Sequence, residues 1–380
     1  MNNTFTSNRV PSLDLARILA MLMMIAGHTF FSLIEPSQIN TNAAPWNWWE
    51  FMRGATAPIF LTVSGIVQVF ANKRDENGKL SQTTILKRLG TAFMLIGIGY
   101  LLVFPVDKIF DFFYLQSSQL PKFYAVNVLQ LIGVSLLMVL AVFVFTRSNK
   151  TFFWASISLA VIFTVLTPLV NKMNWFEVLP YPIASYLDYR NGSIFTLFPF
   201  TAYLFYGMAF GAKLKEVEPH RRINFIITTS LILTPVFYIA GYYLFKFEWN
   251  FIANTPIPYK ASAGFIFTRF AVVAIALAIT GFITKKFMHL QDFFTFFGQK
   301  ALYVYVLHFF VLYGTAMTPG VFQFYGGASS VALAFANIPI VIFGTLLLTV
   351  LINQIINRDT RFALIYKFSI SVYLIYVLFI

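Results

Sequence analysis

The chain has 380 residues, 58% of them hydrophobic and only 11% charged. Soluble domains carry about 25% charged residues, so the composition excludes an ordinary soluble fold and points to a bilayer. The absence of cysteine excludes disulfides, thiol catalysis and cysteine-held metals. The net charge of +13 has no soluble basic domain to carry it, which excludes nucleic-acid binding and leaves the charge to orient a membrane protein.

The first eleven residues, MNNTFTSNRVP, form a short polar tail. The apolar run behind them is longer than a signal-peptide core and has no small-residue cleavage site, so it reads as a retained helix. A membrane-spanning helix needs about 20 mostly apolar residues. Such runs fall at 12–34, 50–71, 88–106, 124–146, 152–171, 194–212, 224–245, 262–284, 299–317, 330–356 and 362–380. The second is weak in its first half and is completed by APIFLTVSGIVQVF (57–70); the eleventh contains Lys367. The expected fold class is all-α, a polytopic transmembrane bundle of 10–11 helices forming one domain over residues 1–380. Trp46, Trp48, Trp49, Trp175 and Trp249 fall near the outer interface, where indoles prefer to sit.

The connections carry a charge pattern. Lys and Arg number five in 71–88, two in 147–150, four in 212–222, three in 285–300 and two in 358–361; Arg9 brings that side to 17. The alternate connections hold seven: Arg53, Lys108, Lys122, Lys172, Arg190, Lys246 and Lys260. This regular alternation supports the span count and puts the N-terminus in the cytoplasm.

The first apolar run, SLDLARILAMLMMIAGHTFF (12–31), carries Asp14, Arg17 and His28. Each is costly in hydrocarbon and calls for a bundle interior or a wet cavity. Arg17 and His28 are eleven residues apart, which is three helical turns plus about 20°, so they share one face across a rise of about 16 Å. Asp14, three residues before Arg17, can pair with it. Two readings are open: a buried ion pair with a hydrogen-bonded histidine, or a functional stripe in which His28 moves protons.

The spacing in RILAMLMMIAGH (17–28), an arginine, ten residues and a histidine, resembles the first helix of integral-membrane acyltransferases of the acyltransferase 3 superfamily. APIFLTVSGIVQVF (57–70), VNVLQLIGVSLL (126–137), FPFTAYLFYGMAFG (198–211) and GQKALYVYVLHFF (298–310) follow in matching order. Together they resemble the branch of heparan-alpha-glucosaminide N-acetyltransferase and its bacterial cousins. Two departures stand out. Ile18 follows the arginine where many relatives carry glycine, and the 35–53 connection holds no histidine, which leaves His28 as the candidate base.

The resemblance implies transfer of an acyl group, usually acetyl, from cytoplasmic acyl-CoA to a hydroxyl or amine of an extracytoplasmic acceptor, often a glycan, in a bacterial inner membrane. His28, Arg17 and Asp14 then form the catalytic set, with His28 as general base. CoA is polyanionic, so Arg17, Lys87 and Arg88 are candidates for its phosphates; topology anchoring is the other reading of Lys87 and Arg88. Asn127, Gln130, Arg269, His308 and Arg53 are the candidate acceptor-binding residues. Interhelical hydrogen bonding also accounts for Asn127 and Gln130. His308, among Tyr303, Tyr305 and Tyr313, also reads as a structural histidine satisfied by tyrosine. Ser64 and Gly65 read as a close helix contact, and His220 and His289 as solvated loop residues.

No phosphate loop, dinucleotide fingerprint or His-Glu-x-x-His zinc motif is present, so neither a metal nor a redox nucleotide is expected. A homodimer is compatible with the sequence. The competing class is a secondary transporter using Asp14, Arg17, His28 and Arg269 as relay or substrate residues. Inverted repeats and paired broken helices are its usual marks; neither stands out in the sequence, though TPLV (167–170) and TPVF (234–237) place prolines inside apolar runs.

Overall fold

The structure is a computed structural model that describes residues 9–104, 113–114, 116, 118–252, 262–314, 318–358 and 369. Its helices in chain order begin with α1 (Pro11–Leu33), α2 (Trp46–Arg53), α3 (Thr56–Ala71), α4 (Gln82–Leu101) and α5 (Leu120–Tyr124). Next come α6 (Val128–Phe145), α7 (Asn149–Val165), α8 (Thr167–Lys172), α9 (Tyr181–Ala184), α10 (Leu197–Glu216) and α11 (Arg222–Ile252). The last are α12 (Ala263–Lys286), α13 (Gln291–Gln299), α14 (Ala301–Tyr313), α15 (Val321–Tyr325) and α16 (Val331–Arg358). Among the described residues there is no strand, only two isolated bridges.

Among the described residues, eight helices are long and apolar enough to cross a membrane, and nine if Met288–Gln299 and Ala301–Tyr313, bent by 69°, count as one span. The chain is an all-α integral membrane protein. Helix α10 covers the expected 194–212 segment, but its Thr, Tyr, Gly and Lys residues dilute its hydropathy and leave it outside that set. Residues 1–8, Lys108, Lys260 and, apart from residue 369, the 362–380 segment with Lys367 lie outside the described residues.

The helix boundaries follow local chemistry. Pro11 opens α1, where a missing N–H costs nothing. The expected 152–171 segment is one membrane-crossing stretch, Asn149–Lys172, interrupted only at Leu166, where Pro168 in the first turn of α8 removes a helical N–H. Pro235, by contrast, lies inside the continuous helix α11. Helix α14 stops at Gly314, whose φ of 77° is accessible to glycine at little cost.

The chain forms two compact units, Met1–Val10 with Leu61–Lys285 and Pro11–Phe60 with Lys286–Ile380. In the second, α1 packs on α13, α14 and α16. Its core gathers Ile18, Met21, Ile25 and Phe30 of α1 with Phe294 and Phe297 of α13 and Val341 of α16. Helix α2 docks through Trp46 and Trp49, each with its ring centroid 5.4 Å from that of Phe30. Trp46 and Trp49 are thus half-buried against α1, while Trp48 stays 68% exposed. The end of α1 is held by backbone bonds from Glu35 N to the Ser329 carbonyl (3.0 Å) and from Ser329 N to the Leu33 carbonyl (2.9 Å).

In the first unit α10 packs on α7, and α4 on α6. Helices α3 and α10 cross backbone to backbone. A methyl group at Gly65 would overlap the Leu204 carbonyl, and one at Gly207 the Thr62 carbonyl. The expected Ser-Gly contact and the Gly207-x-x-x-Gly211 pattern are thus two sides of one crossing, as small residues allow between membrane helices.

Candidate functional site

Helix α1 is continuous from Pro11 to Leu33, so the expected register of Arg17 and His28 holds. Asp14 is 2% exposed and lies against α13, where a side chain at Gly298 would strike its Cβ and Oδ1. Arg17 and His28 are half-buried.

Around His28 the second unit assembles a small polar cluster in an aromatic frame. The His28 and His308 rings meet edge to face with centroids 5.4 Å apart, and Phe309 stands 5.7 Å from His28. Tyr305 packs 5.5 Å from His308. Arg53, from the end of α2, places its guanidinium 4.2 Å from the Phe31 ring centroid and pairs with Glu50 at 2.7 Å. Ser32 and Tyr313 share a hydroxyl hydrogen bond of 2.6 Å.

His308 is fully buried, and neither ring nitrogen has a hydrogen-bond partner. The carbonyls of Tyr305 and Val304, one turn back, lie within looser backbone hydrogen-bonding reach of the ring, short of a well-formed bond. The reading of His308 as tyrosine-satisfied is therefore corrected. Tyr305 offers its ring, the Tyr313 hydroxyl is joined to Ser32, and Tyr303 is 39% exposed beneath Lys300. An unmade hydrogen bond on a buried group costs about 1–3 kcal/mol. Buried polar atoms in proteins are as a rule satisfied by protein or water, and the two His308 nitrogens are candidates to meet a bound molecule.

The other expected residues belong to the first unit. Arg269 on α12 is 2% exposed, with its guanidinium 4.6 Å from the Phe265 ring centroid. Asn127 and Gln130 form a capping box at the start of α6. Leu129 N donates to Asn127 Oδ1 (2.9 Å), Asn127 N donates to Gln130 Oε1 (2.7 Å), and Asn127 Nδ2 donates to the Gly99 carbonyl (2.9 Å) on α4. The interhelical reading describes Asn127; Gln130 Nε2 stays buried without a partner. Lys87 is exposed. Arg88 donates to Asn72 Oδ1 (2.7 Å) and to the Ala71 carbonyl (3.1 Å), tying α4 to the end of α3. His220 and His289 are exposed, as expected of loop residues.

Asp14, Arg17, His28, Arg53 and His308 thus share one compact unit, while Lys87, Arg88, Asn127, Gln130 and Arg269 share the other. Glu50 was not anticipated. Its signal was present in WNWWEFMR (46–53), where the carboxylate stands three residues before Arg53 on a short helix.

Residues 9–247 match the family described as "Heparan-alpha-glucosaminide N-acetyltransferase, catalytic". Asp14, Arg17, His28, Arg53, Lys87, Arg88, Asn127 and Gln130 fall inside the match; Arg269 and His308 fall beyond it. A comparison with curated protein sequences returns no match.

Proposed function

The chain belongs to the heparan-alpha-glucosaminide N-acetyltransferase catalytic family, and we propose that it carries an acetyl group from cytoplasmic acetyl-CoA to an extracytoplasmic sugar amine or hydroxyl, with His28 as general base. The observation that carries this reading is the cluster of His28, fully buried His308 with no well-formed hydrogen bond to its ring nitrogens, and the Arg53–Glu50 pair in one unit.

In the proposed reaction His28 takes the proton from the acceptor O–H or N–H as that atom attacks the thioester carbonyl. The carbonyl becomes a tetrahedral oxyanion, which fixed donors stabilise. Collapse breaks the C–S bond, and the imidazolium returns its proton to the departing thiolate. His308 holds the acceptor or an ordered water beside His28 through a ring nitrogen that the protein leaves without a well-formed hydrogen bond. Arg53, pinned by Glu50 and Phe31, supplies positive charge at the same end of α1. Arg17, three turns before His28, meets a donor phosphate in this scheme. The charge pattern of the connections supports a cytoplasmic N-terminus and hence donor entry at the Arg17 end.

The test uses purified full-length protein with radiolabelled acetyl-CoA and glucosamine as the acceptor probe. The expected result is acetylated product with wild type and a loss of about 10²-fold or more with His28→Ala. Absence of transfer with both glucosamine and heparan-derived oligosaccharide, together with equal CoA release by wild type and His28→Ala, would overturn the reading.

A further inference from the structure

The second unit carries a row of rings that runs from its surface to His28. Phe322, on the short helix α15, is 41% exposed. Its ring centroid lies 5.5 Å from that of Tyr313, Tyr313 stacks on Phe309 at 5.7 Å, and Phe309 stands 5.7 Å from His28. Tyr313, Phe309 and His28 are half-buried, so each step of the row keeps an open side. The local sequence explains the row. Phe309 and Tyr313 are four residues apart on one face of α14, and Gly314 ends that helix with a positive φ. Gln323 fastens α15 to the end of α14: its Nε2 donates to the Tyr313 carbonyl, and its Oε1 accepts from Gly320 N, both at 2.7 Å. Just past α15, Gly327 N donates to the Ser32 carbonyl (3.0 Å), which ties this segment to α1 as well.

Polar groups accompany the rings at the inner end of the row. The Ser32 and Tyr313 hydroxyls share a hydrogen bond of 2.6 Å. Arg53, paired with Glu50 at 2.7 Å, crosses Gly27, the residue before His28. A charged pair and hydroxyls are costly against hydrocarbon, and an acyl chain would use only the ring faces. A sugar uses both features. Its C–H faces pack on aromatic rings, while its hydroxyl edges need donors and acceptors. Each ring-to-ring step is close to the length of one sugar residue in a chain. A single sugar at His28 therefore leaves Tyr313 and Phe322 uncovered, and a chain of sugars covers them. Phe309, Tyr313 and Phe322 lie beyond residues 9–247, so the family match does not supply this feature.

We propose that Phe309, Tyr313 and Phe322 form a subsite for the sugars that follow the reacting one, so that this chain selects an oligosaccharide over a free monosaccharide. The subsite rests on the function proposed above, with the reacting sugar at His28. Binding energy gained on the remote sugars holds the reacting one in place and raises kcat/KM for the longer acceptor.

The experiment places full-length protein in nanodiscs, free of sugar-bearing detergent. It measures binding of glucosamine and of a heparan-derived tetrasaccharide in the absence of acetyl-CoA. Wild type should bind the tetrasaccharide about tenfold tighter. Phe322→Ala and Tyr313→Leu should each cut that preference about threefold or more, the scale of one lost aromatic contact. Tyr313→Phe, which keeps the ring, should retain most of it. Phe324→Ala, on the same helix but outside the row and 67% exposed, should keep it whole. Because Phe322 is exposed, its variant tests the subsite even if Tyr313→Leu fails to fold; a thermal midpoint checks both. Equal binding of the two ligands by wild type overturns the proposal. So does a preference unchanged in folded Phe322→Ala and Tyr313→Leu, which would return these rings to the bilayer interface. A preference lost in the variants, in a protein that transfers no acetyl group to either ligand, would sink the enzyme reading and leave the subsite standing.

Discussion

The side chain of Arg53 lies across Gly27, with its Cγ 2.9 Å from the point where a Cβ at position 27 would stand. Glycine beside the candidate base thus lets the arginine of α2 reach the α1 surface and stack on Phe31. Gly27→Ala adds helix propensity worth about 0.5–1 kcal/mol but must push aside a side chain held at one end by Glu50. The thermal midpoint should move little while acetyl transfer falls about tenfold, roughly 1.4 kcal/mol in the barrier. Equal activity with the midpoint unchanged would show that Arg53 has no part in the reaction.

His308 separates stability from activity. Replacing a buried group that has two unmade hydrogen bonds by an apolar ring is neutral or stabilising. His308→Phe should therefore leave the melting temperature equal or higher, while transfer drops by about 10²-fold, the scale of a lost proton-handling or positioning group. His308→Gln, which retains a donor and an acceptor, should recover part of kcat. A His308→Phe variant with full activity would return the residue to a packing role.

These relationships differ in how far the sequence discloses them. The Arg17–His28 stripe is local to one helix and follows from 3.6 residues per turn. The His28–His308 contact joins residues 280 positions apart, and no periodicity within either helix encodes it. Helix α2 is too short and polar to read as a span by itself and runs with α3 as one stretch, Trp46–Ala71; the packing of Trp46 and Trp49 against Phe30 and Phe335 accounts for its position. The bend between α13 and α14 belongs to the same class, because Phe294 and Phe297 are buried in the core that α1 shares. The capping box was readable in a different way. An asparagine followed three residues later by glutamine before an apolar run is a helix-start signature, and that signal competes with a ligand-binding reading of Asn127 and Gln130.

The loop that follows α1 makes a prediction with a definite sign. Glu35 accepts hydrogen bonds from Ser37 Oγ (2.7 Å) and Gln38 Nε2 (3.1 Å), and these hold its carboxyl below the usual carboxylate range. A depressed folded-state value contributes stability above the unfolded value, and that contribution is lost as pH falls through the folded value. Ser37→Ala removes the larger of the two contributions. The Glu35 titration, followed by carboxyl carbon NMR in detergent micelles, should move up toward the ordinary range. A midpoint equal to wild type would mean that the loop does not hold this geometry in solution.

The crossing of α3 and α10 is the most demanding packing relationship in the first unit. Both backbones come within the reach of one methyl group, at Gly65 against Leu204 and at Gly207 against Thr62. These are backbone carbonyls, so no side-chain rotation can relieve an added Cβ. Gly65→Ala or Gly207→Ala should force the helices apart and destabilise the unit by about 1–3 kcal/mol, the usual cost of overpacking. Gly90, on the exposed surface of α4 with nothing within 4 Å of an added Cβ, is the matched control. Gly90→Ala should leave the midpoint equal or slightly raised through helix propensity. Thermal unfolding in detergent compares the three directly. Equal midpoints for Gly65→Ala and Gly90→Ala would mean that α3 and α10 do not approach this closely, and that small residues there serve another end.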